Sequence, residues 1–209
     1  GDVSDTFLED AIERYKLLKD AIDAFADKET VLQCPETNQD IEATVQCLQS
    51  LGVKITRTPK EYIVHPIAVV PTKAVFHCGE SGSTLRFMLP IAGALGVDTT
   101  FVLDGRLPYR PLSPLWEVME QNGCTLVRPT ETTIRCCGQL HSGCYSIDGS
   151  VSSQFITGLL FGLTLLPGEN KLTVTGKVES RPYIDMTQDA LSRFGVNTTD
   201  FTISASLPL

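Results

Sequence analysis

The sequence predicts a mixed α/β (α+β) domain made of three related units arranged with pseudo-threefold symmetry around buried helices. Three observations predict it. The stretches "LQSLGVKITRT", "MEQNGCTLVRP" and "LSRFGVNTTDF" look alike, and their glycines Gly52, Gly123 and Gly195 stand 71 and 72 positions apart. Near-equal spacing of similar segments marks an internal repeat. Each glycine follows an amphipathic helical pattern, where it supplies a left-handed cap. Strand-like runs stand at matching places in the copies, and a run rich in glycine, leucine and phenylalanine fits a helix buried on all sides.

The units read helix, strand, helix, strand, strand, with a further strand leading in, giving a βαβαββ pattern. The sequence divides into one domain over 1–209, with repeat 1 at about 7–72, repeat 2 at about 73–141 and repeat 3 at about 142–209. Repeat 1 begins with "FLEDAIERYKLLKDAIDAFA". Thr6 and Glu9 form a capping box there. Leu8, Ala11, Ile12, Tyr15, Leu18, Ile22 and Phe25 make one apolar stripe, so this helix should lie half exposed on the surface. The strand "TVLQC", the helix "DIEATVQCLQSL" and the strand pair "VKITRT" and "EYIVHP" complete the unit.

Repeat 2 runs through "STLRFMLPIAGALG", "TFVLDG", "PLSPLWEVMEQN", "CTLVRP" and "TTIRCC". Repeat 3 runs through "SSQFITGLLFGLTLL", "KLTVTG" and "YIDMTQDALSRF". The first helices of repeats 2 and 3 are almost wholly apolar and should form the shared interior. The run Phe155–Leu166 has 12 residues, short of the ~20 that a membrane span needs.

Composition narrows the function. Net charge is −8, from 17 basic and 25 acidic side chains, which argues against a nucleic-acid-binding surface. The seven cysteines show no CxxC pair, and the histidines His65, His77 and His141 are scattered. No metal site or cofactor is expected. Reduced thiols and an acidic N-terminal stretch unlike a signal peptide fit a cytoplasmic protein with no membrane contact.

A local cluster of arginines can still hold an anion. "GESGSTLR" and "GSVSSQF" place hydroxyls and free N–H groups at the start of the two apolar helices, a ready anion site. "GRLPYRPLS" carries Arg106 and Arg110, and "GKVESRPYID" carries Lys177, Ser180 and Arg181. Both put Arg-Pro before a helix pattern, and arginine offers a planar fork for carboxylate or phosphate. Structural readings stand beside these. Ser83 or Ser152 can serve as a helix cap, Arg86 can tie loops together, Pro111 and Pro182 suit first helical positions, and Tyr183 can simply pack. The recurrence of hydroxyls with Arg-Pro in two units favours one shared anion-binding surface.

In order and spacing, "CGESGSTLRF", "DGRLPYRPL", "GSVSSQFITGLL" and "ESRPYIDMT" resemble the motifs of the 5-enolpyruvylshikimate-3-phosphate synthase family, the 3-phosphoshikimate 1-carboxyvinyltransferases. The resemblance runs from about Thr30 to the C-terminus. It implies an enolpyruvyl transferase-like fold of two domains, each with three βαβαββ units, of which this chain matches one. It also implies transfer of the enolpyruvyl group of phosphoenolpyruvate to shikimate 3-phosphate, by addition and elimination without metal, on the route to chorismate and the aromatic amino acids. By the same resemblance, Ser152, Ser153 and Ser180 hold the phosphate of shikimate 3-phosphate. Gln154 sits over its ring and Tyr183 contacts the ring end. Arg110 binds phosphoenolpyruvate with the backbone around Gly82, and Glu80 and Arg86 organise the loop.

The chain departs from the family in one respect. Family members begin the first helix with Pro-x-Lys-Ser, whose lysine contacts both substrates. The matching register reads "AIERYKLL", with Arg14 and Lys16 mid-helix. The expectation is that residues 4–26 are a replaced or redesigned segment, and that without this motif and the second domain the chain binds weakly and has no turnover. Two other readings are a structural scaffold with no binding activity, and a domain of a UDP-N-acetylglucosamine enolpyruvyl transferase-like enzyme.

Overall fold

The computed structural model describes residues 28–203. The amphipathic helix expected over 7–26 lies outside the described residues.

The elements run β1 (Thr30–Gln33), α1 (Gln39–Ser50), β2 (Ile55–Arg57), β3 (Glu61–Val64), β4 (Lys73–Gly79), α2 (Gly82–Leu95), β5 (Asp98–Leu103), α3 (Leu115–Gln121), β6 (Cys124–Thr130), β7 (Thr133–Gly138), β8 (Cys144–Asp148), α4 (Ser153–Thr164), β9 (Asn170–Thr175), α5 (Arg181–Arg193) and β10 (Thr202–Ile203). The helix caps follow the sequence signals. Asn38 caps α1 by accepting from the Ile41 N–H at 2.9 Å. Gly52, Gly123 and Gly195 all take positive φ, at 89°, 116° and 82°, just past helix ends.

Three sheets surround the buried helices, in the orders β1-β3-β2, β4-β5-β7-β6 and β10-β9-β8. The antiparallel order β1-β3-β2 repeats β5-β7-β6, and the parallel pair β8-β9 with antiparallel β10 repeats β4-β5 with β7. These shared orders support three related units, with junctions that we propose to lie in 65–72 and 139–143. The third unit differs after Gly195. A short 3-10 turn, Thr199–Phe201, leads straight into β10, so no hairpin follows α5 among the described residues.

Helices α2 and α4 pack against each other in the centre. Every residue from Gly82 to Ala94 and from Ser153 to Thr164 is buried. Pro90 stands inside α2. It lacks the N–H that would bond the Arg86 carbonyl, four residues back. Gly158 of α4 lies against that carbonyl, and a Cβ there would overlap it. Gly162 packs on Pro90, where an added Cβ would come within 2.9 Å of the Pro90 oxygen. Glycines four apart on α4 let the two backbones approach closely. Phe76, Phe101 and Phe155 fill the surrounding core, all fully buried, with Phe76 and Phe101 edge to face at 5.2 Å.

On the outer face of the four-stranded sheet, Arg135 makes a two-pronged contact with Asp98, at 2.9 and 2.8 Å. Hydrogen bonding to Arg135 holds the Asp98 carboxyl below the usual carboxylate value. A depressed folded-state pKa adds stability above the unfolded value of about 3.9, and that stability is lost as pH falls through the folded value. Asp98→Asn is therefore expected to lower the melting temperature slightly at pH 6. The difference from wild type should shrink steadily as pH falls below the unfolded value of about 3.9, as checked by thermal unfolding across that range.

Candidate functional site

The site is built where two pairs of parallel strands end. β4 and β5 run side by side to Gly79 and Leu103, and the Asp104 N–H donates to the Gly79 carbonyl at 2.8 Å. β8 and β9 run side by side to Asp148 and Thr175, with Gly149 N–H on the Thr175 carbonyl at 2.8 Å and Glu179 N–H on the Gly149 carbonyl at 3.1 Å. Each pair delivers one buried helix and one loop to the carboxyl ends of its strands. In open α/β sheets that is where ligands bind.

The residues from the second unit meet first. Ser81 caps α2, its hydroxyl accepting from the Thr84 N–H at 3.2 Å. Gly82 follows, and the guanidinium of Arg110 packs so closely over it that a Cβ would overlap the guanidinium. A side chain at position 82 would push that cation away from the helix start. Glu80 lies on the same rim with its carboxylate against Gly105, which takes φ +56°. Arg110 is exposed and extended (ψ 141°) after a 3-10 turn over Leu107–Tyr109.

Pro111 does not begin a helix, contrary to the sequence reading. α3 starts at Leu115, after Pro114. Residues before proline are driven out of the helical region, so Pro111 and Pro114 together hold 110–113 off the helix. In the third unit Pro182 does sit in the first turn of α5.

Ser152 caps α4, accepting from the Gln154 N–H at 3.2 Å, and Ser153 is the first helical residue, buried. Arg86, only 6% exposed, joins the two units. Its Nη1 donates to the Gln154 side-chain oxygen at 2.9 Å and to Ser152 Oγ at 3.4 Å, and its Nη2 donates to the Pro111 carbonyl at 2.9 Å. Its guanidinium stacks on the Phe155 ring at 4.8 Å. The Gln154 amide nitrogen in turn donates to Ser83 Oγ at 2.9 Å. Ser83 is thus a side-chain partner of Gln154, and the cap of α2 is Ser81.

Ser180 and Tyr183 lie at the start of α5, and the Glu179 N–H bond to the Gly149 carbonyl ties the loop before α5 to the loop before α4. Ser180 is exposed and in the left-handed region, φ 53° and ψ 46°. A non-glycine residue there is strained by roughly 1–2 kcal/mol, and such strain concentrates at ligand sites. Tyr183 is buried, and its carbonyl accepts from Thr187 Oγ at 3.0 Å. Two of the cations singled out in the sequence are not drawn in. Arg181 bonds Asp185 at 3.0 Å and Lys177 pairs with Glu179 at 3.5 Å.

An acidic hollow of about 710 Å³ adjoins the rim, lined by Asn38, Asp40, Glu42, His77, Glu80 and Asp104. Sequence reasoning did not foresee it, since its carboxylates come from three separate segments. Among the described residues, no group of three or more His, Cys, Asp or Glu could hold a metal ion. No helix there is long and apolar enough to cross a membrane.

A family model described as "EPSP synthase (3-phosphoshikimate 1-carboxyvinyltransferase)" matches residues 22–204. A 3-phosphoshikimate 1-carboxyvinyltransferase of Clostridium kluyveri is 40% identical over 163 residues, covering 76% of this chain and 38% of the relative. One from Clostridium perfringens is 35% identical over 171 residues, covering 80% and 40%. The chain thus spans about two-fifths of the length of these curated relatives. An EPSP synthase structure from Acinetobacter baumannii superposes with a TM-score of 0.73 over 99% of this chain and 45% of that one, at 21% identity, which speaks to the fold. With the family model matching most of its length, this chain belongs to the EPSP synthase (3-phosphoshikimate 1-carboxyvinyltransferase) family.

Proposed function

We propose that this chain is the shikimate 3-phosphate-binding part of an enolpyruvyl transferase that moves the enolpyruvyl group of phosphoenolpyruvate to shikimate 3-phosphate. The observation that carries the proposal is the Arg86 bridge. It ties the start of α4, with its serines, to the loop that presents Arg110 over Gly82. Two anion-binding helix starts on one rigid surface suit a reaction with two anionic substrates.

In this reading Ser152, Ser153 and Ser180 cradle the phosphate of shikimate 3-phosphate. Gln154 and Tyr183 fix its ring, and Arg110 with the Gly82 backbone takes the carboxylate or phosphate of phosphoenolpyruvate. Glu80 and Arg86 hold the loop. Fixed N–H and hydroxyl dipoles need little reorganisation when the anion arrives. The cluster around Arg86 contains anion donors and no acid–base pair able to protonate and deprotonate a methylene carbon. The second domain of the enzyme is the partner that would supply those groups, and the 209 residues alone are expected to bind without turnover.

Calorimetry with shikimate 3-phosphate and with shikimate tests the reading. Saturable heat with the phosphate ester only supports it. Equal responses, or none with either, would count against it. The backbone at Ser180 adds a sharper test. Ser180→Gly removes the left-handed strain and should stabilise the fold by about 1 kcal/mol, while weakening the phosphate ester about tenfold by deleting a hydroxyl contact. Opposite signs in melting temperature and affinity are the expected result.

A further inference from the structure

We infer that Thr44, on α1 of the first unit, is a positioning residue for the anion subsite at the start of α2. The inference rests on the reading of that subsite given above. Three hydroxyls meet in the interior: Thr44 (2% exposed), Thr84 (0%) and Ser81 (3%). Thr84 Oγ lies 2.8 Å from Thr44 Oγ and 2.7 Å from Ser81 Oγ, and donates to the Asp40 carbonyl at 3.3 Å.

A hydroxyl has one proton and two acceptor sites. With the Thr84 proton on Asp40, both Thr44 and Ser81 donate to the Thr84 oxygen. That assignment satisfies Thr84 completely and orients Ser81 so that its oxygen is free to accept the Thr84 N–H at 3.2 Å. A Thr44 proton on the Thr84 oxygen thus joins α1 to the network that holds the cap of α2, 40 residues later in the chain. Ser81 immediately precedes Gly82, the residue over which the Arg110 guanidinium packs. Buried polar networks of this kind are rigid when every member is satisfied, and one missing donor loosens the whole.

The test compares Thr44→Val, which keeps the shape and removes the donor, with Thr44→Ser, which keeps the donor. Two quantities are read: amide hydrogen exchange without ligand, and affinity for inorganic phosphate. In Thr44→Val the Thr84 and Leu85 amides should exchange about tenfold faster with the α4 amides unchanged. Phosphate should bind about fivefold more weakly. Thr44→Ser should restore both to within about twofold. Unchanged exchange at Thr84 and Leu85 overturns the inference. So does faster exchange spread evenly over the core, which is plain destabilisation, or local loosening with undiminished phosphate affinity. If wild type does not bind phosphate at all, the reading of the subsite fails. Exchange confined to the α2 start, rescued by serine, then still upholds Thr44 as the residue that sets that cap.

Discussion

Gly158→Val is expected to cost about 2–3 kcal/mol, which for a chain of this size lowers the melting temperature by roughly 5–10 °C. The reason lies in the pairing of Pro90 with Gly158. The proline strips the Arg86 carbonyl of its helical donor, and the α4 backbone moves in to cover it. Any Cβ at 158 meets backbone, which cannot swing aside as a side chain would. Overpacking of a rigid contact typically costs about 1–3 kcal/mol, and the few tenths of a kcal/mol of helix propensity that valine gains over glycine offset little of it. Alanine is the informative control. It gains about 1 kcal/mol of helix propensity over glycine, so a destabilised Gly158→Ala would show that the close approach outweighs propensity. Denaturant unfolding of the three proteins checks the order wild type, alanine, valine. Equal midpoints for wild type and valine would mean that α2 and α4 are not packed as described.

Arg86→Met is expected to destabilise the fold by about 2–4 kcal/mol and to abolish measurable binding of shikimate 3-phosphate. Methionine fills the space but supplies no donor. The Gln154 side-chain oxygen and the Pro111 carbonyl then lose bonds of 2.9 Å each, and a buried acceptor left unpaired costs about 1–3 kcal/mol. Removing a buried charge recovers part of this, which sets the range. Arg86→Lys keeps the charge but not the fork. It cannot reach the Gln154 side and the Pro111 carbonyl together, so it should recover less than half of either property. Unfolding by denaturant and calorimetry on the same samples separate the effects. A methionine variant that binds like wild type would remove Arg86 from any role in the site.

The parts of the fold that were legible in the sequence are those governed by local rules. The glycine caps at 52, 123 and 195 need only a left-handed residue after a helix. The burial of α2 and α4 follows from their composition. The hydroxyl-rich helix starts also came through, because capping depends on the next three residues. What stayed hidden depends on distant partners. Arg86 reaches Gln154 68 residues away, and Thr44 reaches Thr84 40 residues away. Nothing local to Thr44 distinguishes it from an ordinary helical threonine. The Arg110-Pro111 step was misread as a helix start because its likeness to Arg181-Pro182 outweighed the second proline at 114, which delays α3 to Leu115. Among the described residues the third unit also lacks the hairpin after α5, for a related reason. Repeat logic carried the pattern of the first two units into a stretch whose described part is a 3-10 turn and a two-residue strand.

The most direct test of one shared anion surface is an amide-shift titration of this chain with shikimate 3-phosphate, with shikimate as the unphosphorylated control. The expected map is confined to Gly82–Thr84, Arg110, Ser152–Gln154 and Ser180–Tyr183, saturates, and is absent with shikimate. Shifts centred on the acidic hollow around Asp40 and Asp104, or the same map with shikimate, would contradict the account.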